Sequence, residues 1–149
     1  MRFLTFLIMV CLISSTALAE NIGAAPGQDI GCPKGTIQNG EYGPGITQSW
    51  CELANDRSAL HGPFRAWYGN GVLGTMENFN HGKRDGKAEY RWGNGRLQAS
   101  GQYKNGEREG SWVFSDVKGV RTSHAKYKHG KLISGHEPRW VSQPNASSD

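Results

Sequence analysis

Cysteine is scarce in this chain: three in 149 residues, one of them (Cys11) inside an N-terminal apolar stretch. Neither Cys32 nor Cys51 belongs to a C-x-x-C pair or has a histidine beside it, which removes the usual zinc-ligand and redox-dithiol spacings. The five histidines are dispersed, with no H-x-x-x-H pair, so a metal site would need distant residues to converge. No apolar run approaches the roughly 18 residues of a membrane-spanning helix. Ser58, Ser111 and Ser115 sit in no nucleophile elbow, and the close carboxylates Glu107 and Glu109 flank Arg108 in a hydrophilic turn. These absences leave no catalytic residue, no metal ligands and no cofactor to assign, and they point to a non-enzymatic protein.

What is present begins with an export signal. Arg2, the apolar run Phe3 to Ile13 and the small-x-small site Ala17-Leu18-Ala19 have the layout of a secretory signal peptide over residues 1–19, with Cys11 in the discarded part. The mature chain is therefore expected in the periplasm or secreted, where disulfides persist, and Cys32 and Cys51 have only each other as partner. Residues 20–31 read as a Gly/Ala/Pro-rich linker, 32–61 as a small N-terminal cap tied by that disulfide, 62–134 as a repeat region and 135–149 as a tail. Within the tail, Trp140 is placed to dock on the last hairpin. Export makes nucleic acid a poor partner. A protein partner fits best, with anionic lipid or glycan as the other class, since residues 61–135 carry thirteen basic and six acidic side chains.

The repeat region decides the architecture. "GPFRAWYGNGVLGTMENFNHGKRD" (62–85), "GKAEYRWGNGRLQASGQYKNGERE" (86–109) and "GSWVFSDVKGVRTSHAKYKHGKLI" (110–133) align without gaps at a period of 24. Glycine recurs in three columns, at 62/86/110, 71/95/119 and 82/106/130. Each unit reads as a hairpin turning at Asn70-Gly71, Asn94-Gly95 or Lys118-Gly119, with a two-residue type I′ turn in which both central residues have positive φ. Counting outward sets Tyr68 opposite Leu73, Trp92 opposite Leu97 and Asp116 opposite Arg121. It also sets Ala66 opposite Thr75, Tyr90 opposite Ala99, Ala88 opposite Gly101, Phe114 opposite Ser123 and Trp112 opposite Ala125. The fold class is all-β: an elongated antiparallel meander of repeated hairpins. The G-x-G-x-x-G spacing of Gly69, Gly71 and Gly74 is then hairpin punctuation, because no helix follows it and Gln98 replaces Gly74 one unit on.

The G-x-aromatic-x-aromatic strands, the N-G turns and the closing segment "YKNGEREGSW" (103–112) resemble MORN repeats, most closely the bacterial subtype of the YwqK-type antitoxin proteins. The resemblance covers Gly62 to about Ser134. It implies a hairpin scaffold for protein contacts, in some members for membrane lipid, and it brings no catalytic motif. The antitoxin label implies neutralising a partner toxin, which export would place outside the cytoplasm.

The bulky residues fall on one face of the sheet. Phe64, Tyr68, Tyr90, Trp92, Trp112 and Phe114 either fold onto themselves as core or line a binding groove. On the other face Lys83, Arg84, Lys87 and Arg91 are the candidate anion-binding residues. Trp67, Val72, Val113 and Val117 are apolar exceptions on this polar face, where Gln98 is also expected. His81 and His129 precede turn glycines, in the column of Asn105, and read as positive-φ turn residues. His61 shares the column of Asp85 and Glu109 as surface turn chemistry.

The export reading predicts that mature protein from the extracytoplasmic fraction begins at Glu20. N-terminal sequencing that found Met1 there would overturn it.

Overall fold

The computed structural model describes residues 25–43 and 46–142. The expected signal peptide, the start of the linker and the end of the tail lie outside the described residues. The chain forms β1 (Thr36–Tyr42), β2 (Ile46–Leu53), β3 (Asp56–Tyr68), β4 (Leu73–Asn80), β5 (Lys83–Arg84), β6 (Gly86–Arg91), β7 (Leu97–Lys104), β8 (Glu107–Ser115), β9 (Arg121–Lys128), β10 (Lys131–Gly135) and one helical turn, α1 (Arg139–Ser142). All ten strands lie in one antiparallel meander sheet whose order follows the chain, with β5 a short branch on β4.

The turns differ from expectation in an instructive way. The Trp92 N–H donates to Arg96 O at 2.9 Å and the Gly95 N–H to Trp92 O at 2.8 Å; Tyr68, Gly71 and Val72, and Asp116, Gly119 and Val120, repeat this pattern. The loop therefore has three residues, a turn followed by a left-handed glycine, and φ is 81° at Gly71, Gly95 and Gly119. Asn70 and Asn94 do not take positive φ. Their side-chain oxygens accept the N–H of Val72 and Arg96 two residues on, at 3.1 and 3.0 Å, which holds them in the ordinary turn conformation. The two-residue turns with φ > 0 at both positions lie at the opposite end of the hairpins. There His81, Asn105 and His129 have φ of 47°, 50° and 48°, each followed by a positive-φ glycine. The side chains of His61, Asp85 and Glu109 accept the backbone N–H of these three residues, so the histidines are turn residues as expected.

The longer loop shifts the pairs beside it: Trp67↔Leu73, Arg91↔Leu97 and Ser115↔Arg121 replace the expected Tyr68–Leu73, Trp92–Leu97 and Asp116–Arg121. One step further, a bulge at Gly74, Gln98 or Thr122 absorbs the extra residue and restores the register. Ala66↔Thr75, Tyr90↔Ala99, Ala88↔Gly101, Phe114↔Ser123 and Trp112↔Ala125 all stand.

That register makes the core. Trp112 and Phe114 are 0% exposed and pack over buried Ala88, Ala99, Ala125 and Tyr127. Large rings lie against small neighbours, and a Cβ on Gly101 would fall inside the Trp112 ring. A second cluster sits at the N-terminal end of the sheet, where Trp67 packs with Ile30, Cys51, Cys32 and Leu73. Two expectations change here. Trp67 shares the face of Arg65, as expected, but is buried there in this cluster. Ile30, assigned to the linker, is buried, and its N–H donates to Gln38 Oε1 at 3.1 Å. The Cys32–Cys51 disulfide is formed, with Cα atoms 5.6 Å apart, and closing this loop is worth about 3 kcal/mol. β3 runs unbroken through cap and first repeat, so the cap is continuous with the repeat sheet.

Successive units are stapled by side chains. Tyr68 Oη donates to Arg91 O (2.8 Å) and Asn70 Nδ2 to Gly93 O (2.7 Å); one unit on, Trp92 Nε1 donates to Ser115 O (3.1 Å) and Asn94 Nδ2 to Val117 O (2.8 Å). The third unit has Asp116 and Lys118 in these columns, and Asp116 turns back to accept the N–H of Lys118 and Val120 within its own loop.

Gly101→Ala is expected to destabilise by about 1–3 kcal/mol through overpacking of Trp112. Gly93→Ala, in open space without positive φ, should change stability by less than about 0.5 kcal/mol. Denaturant midpoints measured side by side check both, and equal losses would disprove the packing argument.

Candidate functional site

The aromatic face is filled. Trp112 is its centre, with ring centroids 5.1 Å from Tyr103, 6.3 Å from Phe114 and 6.4 Å from both Tyr90 and Tyr127. The tail closes this cluster: Trp140 of α1 meets Phe114 at 6.0 Å and Trp92 at 5.5 Å, edge to face. Of the six residues expected to line a groove, Trp112 and Phe114 are thus buried core, with half-buried Tyr90 and Trp92 beside them. Phe64 pairs with Phe79 at 6.1 Å, and Tyr68 lies over Gly74 near the turn. What space remains under the tail is a cavity of about 260 Å³, bounded in part by Tyr90, Ala99, Trp140 and Gln98. Gln98 was expected on the polar face; as the extra residue of its bulge it faces the tail instead.

Polar groups on this face are used internally. Arg84 donates to Glu77 at 2.7 Å and lies over the rings of Phe79 (5.8 Å) and Tyr103 (5.5 Å). Buried Glu77 also accepts the Tyr90 hydroxyl. Twenty-four residues on, Arg108 lies over Trp112 (4.8 Å) and Tyr127 (5.3 Å), but the column of Glu77 holds Gly101. The missing carboxylate comes from the tail: Glu137 accepts from Arg108 at 2.6 Å and from the Tyr127 hydroxyl. The repeat itself held this signal, an arginine column with a glutamate in only one of two units.

The four candidate anion-binding residues do not form one cluster. Arg84 is turned into the aromatic face, and Arg91 pairs with Glu89 and donates to Gly95 O. Lys83 and Lys87 remain exposed.

The open feature is on the polar face. A groove of about 750 Å³ crosses the middle of the sheet. One cross-strand row runs along it, Arg65↔Met76↔Glu89↔Ser100↔Val113, each residue paired with the next. Asn78, Lys87, Gln102 and Ser111 flank this row. Arg65 donates to Phe64 O at 2.8 Å and Glu77 O at 3.1 Å, and its burial draws its pKa below the ordinary arginine value. The groove offers cationic, anionic, amide, hydroxyl and short apolar groups in a strip. Reading this face as merely solvated misses the alternation of long rim residues with short Ser100 and Ser111. Among the described residues, no group of His, Cys, Asp and Glu side chains is placed to hold a metal ion. No family model and no curated protein matches the chain.

Buried Tyr127 and half-buried Tyr90 give the fold an alkaline limit. Desolvation, then the hydrogen bond to Glu137, pushes the Tyr127 hydroxyl up to about 12 against the opposing effect of Arg108. Desolvation and Glu77 raise Tyr90 as well. A proton held more tightly in the folded than in the unfolded chain contributes stability that is complete below about pH 10 and is lost as pH rises through the folded value. The unfolding midpoint should therefore fall between about pH 10 and 12. In Tyr90→Phe/Tyr127→Phe that slope should flatten; an unchanged slope would assign the alkaline loss to other groups.

Proposed function

We propose that this chain is an exported, non-catalytic hairpin-repeat scaffold of the MORN type that holds an extended segment of a protein partner across its polar groove. The groove carries the reading. Its cross-strand row runs perpendicular to the strands and presents alternating charge, hydroxyl and short apolar groups, which match a polypeptide better than a uniformly anionic surface. The 24-residue hairpin period supports the repeat class, and the disulfide is compatible with an oxidising compartment. An immunity- or antitoxin-like role outside the cytoplasm is the form of this function that the resemblance implies. A lipid or glycan held on Lys83, Arg84, Lys87 and Arg91 is less supported, because Arg84 and Arg91 are engaged within the sheet.

The test fills the groove. A partner isolated from the extracytoplasmic fraction with the mature protein should bind Ser100→Arg/Ser111→Arg at least about tenfold more weakly, the equivalent of 1.4 kcal/mol, at an unchanged thermal midpoint. Equal affinity for both proteins would reject the groove as the site.

A further inference from the structure

The sheet ends in an unfinished unit. β10 corresponds by the period of 24 to Glu107–Ser111, the first five residues of nine-residue β8. The chain then leaves: β10 pairs only with Ala125–Lys128 of β9, and the His136 N–H closes on His124 O. Beyond that contact, Arg121–Ser123 of β9 have no strand along their outer edge among the described residues. β9 and β10 together form a stepped edge.

Three observations mark this step as a receiving surface. Ser123 is 5% exposed, yet its Oγ has no hydrogen-bond partner among the described residues. It ends the row Ala66↔Thr75↔Tyr90↔Ala99↔Phe114↔Ser123, in which small residues and rings alternate from Thr75 onward, and no strand residue pairs with it on its outer side among the described residues. Leu132 and Ile133 are 47% and 54% exposed, and Leu132 places an apolar side chain in the column of Arg84 and Arg108. Arg121, Lys126, Lys128 and Lys131 are exposed and take part in none of the five ion pairs found among the described residues. The carboxylates at this end are Glu107, Glu109, Asp116 and Glu137, of which Asp116 accepts the N–H of Lys118 and Val120 within its own loop. Glu109 accepts the His129 N–H, Glu137 serves Arg108 and Tyr127, and Glu107 packs on Gly130.

We propose that the stepped edge of β9 and β10 receives an extended acidic segment of a partner protein as an added strand. Main-chain hydrogen bonds to the open edge supply the affinity. Apolar side chains of the segment meet exposed Leu132 and Ile133, and alternate Asp or Glu residues meet Arg121, Lys126, Lys128 and Lys131. The same cations repel a second copy of this edge, which suits a heterotypic partner. This surface is separate from the groove and does not rest on it.

The probe is a synthetic peptide of about ten residues alternating glutamate with valine and phenylalanine, beside its lysine-for-glutamate counterpart. Titrated against the mature chain, the acidic peptide should bind and slow amide exchange in β9 and β10, while the basic one should not bind. Arg121→Glu/Lys131→Glu, at exposed positions that should leave the thermal midpoint unchanged, should weaken binding at least about tenfold. Ser100→Arg/Ser111→Arg should leave it unchanged, which separates this edge from the groove. Protection confined to the groove strands would overturn the proposal. So would failure of the acidic peptide to bind, equal binding of both peptides, or self-association that protects the same amides. Binding to anionic phospholipid vesicles with no response to the acidic peptide would assign the basic edge to a membrane surface instead.

Discussion

The contact between the Trp112 ring and the bare backbone of Gly101 is the constraint on which the rest of the sheet depends. A ring of that size lies flat against a neighbouring strand only where no Cβ intervenes, so Trp112 and Gly101 must be held in one register. Once they are, Tyr90, Tyr103, Phe114 and Tyr127 surround the indole on a single face, and the buried alanines pack beneath them. The opposite face inherits the same alternation, so that Arg65, Met76, Glu89, Ser100 and Val113 fall into line across five strands. Core and groove are two sides of one registration.

The repeat made most of this legible. Glycine columns, strand alternation and the burial of one aromatic face follow from a period of 24 and from the preference of hairpins for glycine at left-handed positions. The turns were harder, because asparagine suits both a left-handed residue and a side-chain-locked ordinary turn. Asn70 and Asn94 use the second mode, whereas Asn105 uses the first. The register nevertheless follows correctly from the wrong turn, since the three-residue loop and the bulge at Gly74, Gln98 or Thr122 shift the pairing by one residue in opposite directions. Sequence spacing alone cannot distinguish a short loop with a regular strand from a longer loop with a bulge.

What lay outside the repeat was less visible. Ile30 follows a stretch rich in glycine and proline, and nothing in its composition says that it will cover Trp67 behind the disulfide. The tail ends in polar residues; the docking of Trp140 on the last hairpin was legible, whereas the carboxylate that Glu137 supplies to Arg108 and Tyr127 was not. The contacts of Ile30 and Glu137 are long-range, and periodicity reports only on neighbours. The groove was hidden for another reason: a hollow arises from the difference in length between adjacent side chains, which a division into polar and apolar residues discards.

The side-chain staples between units have a direction. Tyr68 and Asn70 reach toward the second unit, Trp92 and Asn94 toward the third, and Asp116 with Lys118 reaches toward none. An interior unit is thus a plug on one side and a socket on the other, matched to any copy of itself, whereas the third unit has a socket only. Duplication of a 24-residue block within the array would extend the sheet with every junction already complementary. The same block appended beyond the third unit would meet an open strand edge but neither of the two side-chain staples. The array is built to lengthen from within, where each new junction brings its own staples.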